Sequence, residues 1–133
     1  MMTTAIVLAL VILSILVYQF WSPLFGSKPK REVPAGEAKL YFFYTDWCGW
    51  SKKAMPHWED LEQQLADSSR FGKSIVKLVR VNAEEDRKTA MLYDVEAYPT
   101  ILLETPTQLI PYTKIPTTEG LLAFLSQSLG QKA

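Results

Sequence analysis

The chain is poor in the residues that usually carry chemistry. Its 133 residues include one cysteine and one histidine. A single cysteine excludes an internal disulfide and any metal site built from several thiolates. Lysine plus arginine number 14 and aspartate plus glutamate number 14, so no basic excess exists to hold a phosphate backbone, and nucleic acid is not an expected partner. Asn82 is the sole asparagine, and no Asn-x-Ser/Thr site surrounds it. Internal repeats and low-complexity tracts are absent, and neither a metal ion nor a cofactor is expected. A chain this short has room for one small domain and little else.

Charge is missing altogether from Met1 to Ser27. The run from Ala5 to Trp21 is almost wholly aliphatic, and Tyr18, Phe20, Trp21 and Phe25 crowd its far end. Residues 4–25 together reach the ~20 residues that cross a bilayer core, with aromatic side chains where the membrane meets water and Pro23 as a helix end. A cleaved signal peptide fits less well, because no basic side chain precedes the run and Phe25-Gly26-Ser27 departs from the small-x-small rule. A buried core helix would show a polar face. Residues 1–26 therefore read as a transmembrane anchor with the lipid bilayer as partner. Residues 27–37, with Pro29, Pro34, Gly36 and no apolar period, read as a solvated tether. Lys28, Lys30 and Arg31 all follow the span, so the positive-inside rule places the C-terminal domain in the cytoplasm, where an unpaired thiol also persists. A luminal domain stays open as the alternative.

The cysteine sits at a junction. An apolar, aromatic run, Leu40-Tyr41-Phe42-Phe43-Tyr44, reads as a buried strand. After Cys48, apolar residues at Trp50, Ala54, Trp58, Leu61 and Leu65 recur every three or four positions and mark one helix face. A thiol at a helix start meets unpaired N–H groups and the positive end of the helix dipole, both of which favour the nucleophilic thiolate. A lone cysteine is more often a small buried residue, and its position is what argues otherwise here.

Residues 38–133 read as one domain. A strand is expected at 39–44 and a helix at 48–66, bent at Pro56. A polar turn holding Gly72 precedes a β-branched strand at 75–81. A short helix follows at 86–93, then strands at 100–104 and 109–114 forming a hairpin. Thr117 is suited to cap a last helix whose apolar face is Leu121, Leu122, Phe124, Leu125 and Leu129. This order predicts an α/β fold, a mixed central sheet with helices on both faces and a right-handed parallel first crossover.

Trp47-Cys48-Gly49-Trp50-Ser51, with Pro56 five residues on, resembles the active-site segment of the thioredoxin family, Trp-Cys-Gly-x-Cys. The likeness extends over the domain. Val81-Asn82-Ala83-Glu84 resembles the family's strand end, Val95 to Thr100 its cis-proline loop, and Tyr112 to Phe124 its closing strand and helix. It implies a thioredoxin-like fold without the optional first strand and helix, and a cis Pro99 beside Cys48. Lys114 stands where that closing stretch commonly has glycine. Two departures concern chemistry. Ser51 occupies the place of the second cysteine, giving Cys-x-x-Ser, and Phe42 occupies the place of the family's buried acid, six residues before the first cysteine. Both losses strike the step in which a second thiol resolves a mixed disulfide. The nucleophile remains.

Three activities fit. Cys48 can work as a monothiol, trapping a partner thiol that glutathione or another thiol later releases, with Ser51 donating to the thiolate and Pro99 beside it. Trp47, Gly49, Trp50 and Tyr98 can form a binding surface for a protein partner. Or the fold can serve as a scaffold in a membrane complex, or in a membrane-containing virus particle, without redox work. Lys52 and Lys53 would favour thiolate, though paired helix lysines are usually solvated surface. His57 lies nine residues along the same helix, about 13.5 Å away, too far for a local Cys–His pair.

Overall fold

The computed structural model describes residues 1–21 and 32–133. The end of the expected span (Pro23, Leu24, Phe25), the three basic residues Lys28, Lys30 and Arg31, and residues 27–31 of the expected tether lie outside the described residues; Glu37, expected as the tether's last residue, instead opens the first strand, paired with Ile75. The chain forms two units, Met1–Arg31 and Glu32–Ala133.

Helix α1 covers Met2–Trp21, and Met2–Phe20 is long and apolar enough to cross a membrane. At 1.5 Å per residue its length is about 30 Å, the thickness of a bilayer core. Its large apolar side chains are exposed along its length, as they would be against lipid. Two of its hydroxyls are paired within the helix: Thr4 donates to the Met1 carbonyl and Ser14 to the Val11 carbonyl, each at 2.8 Å. An apolar solvent demands such internal pairing.

The second unit is built on β1 (Glu37–Tyr44), α2 (Gly49–Gln64), β2 (Arg70–Phe71), β3 (Ser74–Asn82), α3 (Arg87–Leu92), β4 (Thr100–Glu104), β5 (Leu109–Pro111) and α4 (Thr118–Leu129). The sheet order is β2-β3-β1-β4-β5. β1 lies at its centre, parallel to β3 with Tyr41 beside Val79, and antiparallel to β4 with Tyr41 opposite Leu102. A central strand is covered on both faces, so its sequence reads as an unbroken apolar run. On one face Leu40 and Phe42 pack against Ala54, Trp58 and Leu61 of α2 and Leu121 and Leu125 of α4. Phe42 stacks on Trp58 with ring centroids 5.1 Å apart. The apolar ring therefore fills the space where an acid would otherwise sit. On the other face Tyr41 and Phe43 pack against Ala90 and Tyr93.

That second face holds a buried carboxylate that the sequence does not announce. The Tyr93 hydroxyl donates to Glu104 Oε2 at 2.6 Å and lies 2.9 Å from the Tyr41 hydroxyl. Burial, reinforced by the bond to Glu104, pushes the Tyr93 phenol well above the ordinary tyrosine value. Removing a donor from a buried carboxylate costs about 1–3 kcal/mol. Tyr93→Phe should therefore lower the unfolding free energy by that amount, read as a lower urea midpoint, and an unchanged midpoint would show that the bond contributes nothing.

Three further expectations need correction. Trp50, expected on the inward face of α2, is 63% exposed, and Ser51 is fully buried in its place. The first turn of α2 thus presents the small hydroxyl to the protein interior and the indole to solvent. The hairpin strand expected at 109–114 ends at Pro111, because the Tyr112 ring turns onto Phe124 at 5.2 Å and its hydroxyl donates to the Ile115 carbonyl. The turn at Gly72 also carries the two-residue edge strand β2, which buries Phe71 completely.

β2 is held by backbone bonds to residues after α4. The Gly72 N–H donates to the Gln131 carbonyl at 2.9 Å and the Ala133 N–H to the Arg70 carbonyl at 3.0 Å. Gly72 has φ +57°, and a Cβ there would collide with the Leu129 carbonyl. Gly72→Ala should cost about 1–3 kcal/mol, read as a lower unfolding midpoint with an unchanged urea m-value.

Candidate active site

Three elements converge on Cys48. β1 delivers the chain to the sheet's end, and the loop Thr45–Trp47 carries it into α2. Two bonds fix this loop to β3: the Ala83 N–H donates to the Tyr44 carbonyl at 2.9 Å, and Asn82 Nδ2 donates to Asp46 Oδ2 at 3.0 Å. Cys48 is the residue before α2, with extended φ −80° and ψ 118°, so its side chain faces the first N–H groups of the helix. The peptide bond Tyr98–Pro99 is cis, in keeping with the family likeness. It places the Tyr98 carbonyl 3.5 Å from Cys48 Sγ, where it accepts from the thiol.

The thiol is partly exposed, and its pKa lies below that of an ordinary cysteine. The Ser51 backbone N–H is the main cause; burial opposes it, and the Ser51 hydroxyl and the Trp50 N–H add smaller effects in the lowering direction. Ser51 is itself oriented from behind: the Thr45 N–H donates to its Oγ at 3.4 Å, which leaves the hydroxyl proton free to point at Cys48. The sequence shows Ser51 as a possible donor but gives no sign of Thr45, whose contribution is a backbone group. Thr45 Oγ1 is buried without a partner among the described residues.

A folded-state pKa below the unfolded one means the ionised thiol stabilises the fold. That contribution is complete above the ordinary thiol value and is lost as pH falls through the folded-state value. Iodoacetamide alkylation of the full chain in detergent should show an apparent pKa below the ~8.5 of a free thiol. Ser51→Ala, which keeps the N–H and deletes the hydroxyl, should move it partway back. An unchanged profile would remove the hydroxyl from the account.

The other expected site residues fall into place around the sulfur. Trp47 is 66% exposed and meets Tyr98 edge-on at 6.4 Å. Gly49 is exposed, with nothing within reach of an added Cβ, so the surface between the two indoles is open. Lys53 Nζ lies 4.6 Å over the Trp50 ring. His57 is exposed, and its carbonyl accepts from Thr118 Oγ1. In the second unit the described residues expose five large apolar side chains, Trp47, Trp50, Ile75, Met91 and Ile115. Four of them, all but Ile75, line two depressions that meet at Tyr98, beside the thiol. Among the described residues no cluster of side chains suits a metal ion.

Known proteins agree with this geometry. A mitochondrial thioredoxin domain-containing protein of Schizosaccharomyces pombe is 31% identical over 94 residues, 65% of this chain and 24% of that protein. Protein disulfide-isomerase of Drosophila melanogaster is 28% identical over 104 residues, 78% of this chain and 20% of that protein. The chain thus spans about a fifth to a quarter of the length of these relatives. Among solved structures, human ERp44 superposes with a TM-score of 0.59 at 22% identity, over 69% of this chain and 27% of that one. The first thioredoxin domain of mouse protein disulfide-isomerase A4 superposes with a TM-score of 0.58 at 26% identity, over 71% of this chain and 64% of that one. The Thioredoxin family itself matches residues 30–127, and the chain is a member of the thioredoxin family.

Proposed function

We propose that this is a membrane-anchored thioredoxin-family protein whose single nucleophile, Cys48, forms mixed disulfides with a polypeptide partner. The observation that carries the reading is the concentration of exposed apolar side chains around a partly exposed, acidified thiol. In the step, the Cys48 thiolate attacks one sulfur of a partner disulfide. A Cys48–partner disulfide forms, the original S–S bond breaks, and the other sulfur leaves as a thiolate. Ser51 carries no sulfur, so release requires an external thiol such as glutathione, and the chain alone completes no dithiol cycle. Helix α1 supplies the anchor, and the basic residues after it favour a domain on the cytoplasmic side. Protease protection in sealed vesicles tests that orientation, since a shielded domain would place it in the lumen.

A disulfide-bonded polypeptide incubated with the full chain in nonionic detergent should yield an adduct on a non-reducing gel. Dithiothreitol should reverse it, and Cys48→Ala should abolish it. A thiol that stays inert at every pH would overturn the proposal. The same exposed indoles support a second reading, non-covalent docking in a membrane assembly. In that case Cys48→Ala would keep the partner, and Trp47→Glu or Trp50→Glu would lose it.

A further inference from the structure

The larger of the two depressions beside the thiol runs from Trp50 and Tyr98 between α2 and the loop that leads into α4. Its volume is about 650 Å³, room for several residues of an extended chain. Its floor is apolar, formed in part by Ala54, Pro99 and Ile101. Its charged rim has one sign only: Lys53 on α2 and Lys114 on the facing loop, with His57 beside them and no carboxylate. Lys53, His57 and Lys114 are all exposed, and they flank the groove from both banks. The smaller depression, on the Trp47 side of Tyr98, is lined by Glu84 and Arg87, one charge of each sign, and has no such bias. In a chain whose charges balance overall, this asymmetry between two grooves flanking one sulfur is local.

We infer that the groove between Trp50 and Lys114 receives an acidic stretch of the partner polypeptide, next to the cysteine that Cys48 attacks. The inference rests on the mixed-disulfide reading above and names its substrate class. An extended segment leaving the sulfur past Tyr98 lays its apolar side chains on Ile101 and Ile115, and its carboxylates reach Lys53 and Lys114 on opposite banks. Lys53 is already fixed by its seat over the Trp50 ring, which lowers the entropy lost on pairing. Lys114 occupies a loop position where a smaller residue would leave that bank uncharged. Exposed ion pairs change affinity modestly, chiefly through encounter rate, and salt weakens them.

The test uses the full chain in nonionic micelles and two synthetic peptides. Each carries one cysteine as a 2-thiopyridyl disulfide, flanked by Asp-Leu-Asp or by Lys-Leu-Lys. Cys48 attack releases 2-thiopyridone, so the rate is read by absorbance. The acidic peptide should react roughly tenfold faster than the basic one at low salt, and the ratio should shrink as salt rises. The combined Lys53→Gln and Lys114→Gln substitutions should bring the ratio towards one. A ratio taken on one protein cancels any change in Cys48 itself. Equal rates in the unsubstituted protein, or a preference that survives the double substitution, would overturn the inference while leaving the mixed-disulfide reading intact. Failure of both peptides to react would instead overturn that reading. Oxidised glutathione serves as a third probe: if it outpaces the acidic peptide with the same lysine dependence, the groove is a tripeptide site and the polypeptide assignment falls.

Discussion

Trp58→Ala should destabilise the domain by about 3–5 kcal/mol, the range for emptying an aromatic site in a packed core. Small domains are stable by about 5–15 kcal/mol, so this single change removes a large share of the total. The indole is 1% exposed and stacks on Phe42 across the interface between α2 and the sheet. Its Nε1 donates to Glu62 Oε1 at 2.7 Å, and Glu62 in turn accepts from Arg80 of β3. Arg80 holds the Glu62 carboxyl below its ordinary pKa, so α2 is joined to the sheet by stacking within the core and by an ion pair at its edge. Trp58→Phe keeps a ring against Phe42 but gives up the bond to Glu62, which retains Arg80, and the part of the indole that a phenyl ring does not fill. It should therefore cost clearly less than Trp58→Ala. Urea unfolding of both variants checks the order. If Trp58→Ala lost under about 1 kcal/mol, the packing of α2 on the sheet would not be what holds the thiol in place.

The parts of this fold that were legible in the sequence are those that use side chains to declare themselves. β1 shows as an aromatic run because both its faces are buried. α2 shows through Ala54, Trp58, Leu61 and Leu65 because one stripe faces the sheet. Thr117 reads as a cap, and it does accept from the Gly120 N–H at 3.0 Å. What stayed hidden rests on backbone groups or on long-range pairing. β2 is two residues long and is fixed by the Gln131 carbonyl and the Ala133 N–H, some sixty positions later, as well as by β3, so no side-chain pattern marks it. The Thr45 N–H that orients Ser51 has no side-chain signature at all. Tyr93 and Glu104 look like ordinary polar residues until the sheet brings them together. Trp50 shows the limit of periodicity in the other direction. Its spacing fits the inward stripe, but the site needs that inward place for a small polar group, and the indole is left on the surface.

Ser51→Cys should give the chain a step that one cysteine cannot perform: release of the reduced partner in a single turnover of the pre-reduced protein, with no other thiol present. The unmodified protein should stop at the mixed disulfide, because nothing in the site attacks the Cys48–partner bond. The substituted protein should pass beyond it, because the introduced sulfur replaces an oxygen already close enough to act on Cys48. Attack by the introduced thiolate on Cys48 Sγ forms an intramolecular disulfide and releases the partner as a thiol. With no other thiol present, the reaction ends there after one turnover. Two structural facts set how fast this goes. Position 51 is fully buried, and burial disfavours the thiolate that must attack. Phe42 offers no carboxylate to take its proton and is stacked between Tyr44 and Trp58. Resolution should therefore be the slow step, and turnover should climb with pH beyond the point where Cys48 is already ionised. The exchange of oxygen for sulfur also weakens the acceptor for the Thr45 N–H, at a stability cost of about 1 kcal/mol. Time courses of partner release at several pH values, with mass spectrometry for the intramolecular disulfide, read both effects. A substituted protein that still accumulates only mixed disulfide would show that the missing second thiol is not the sole barrier, and that the apolar Phe42 blocks resolution by itself.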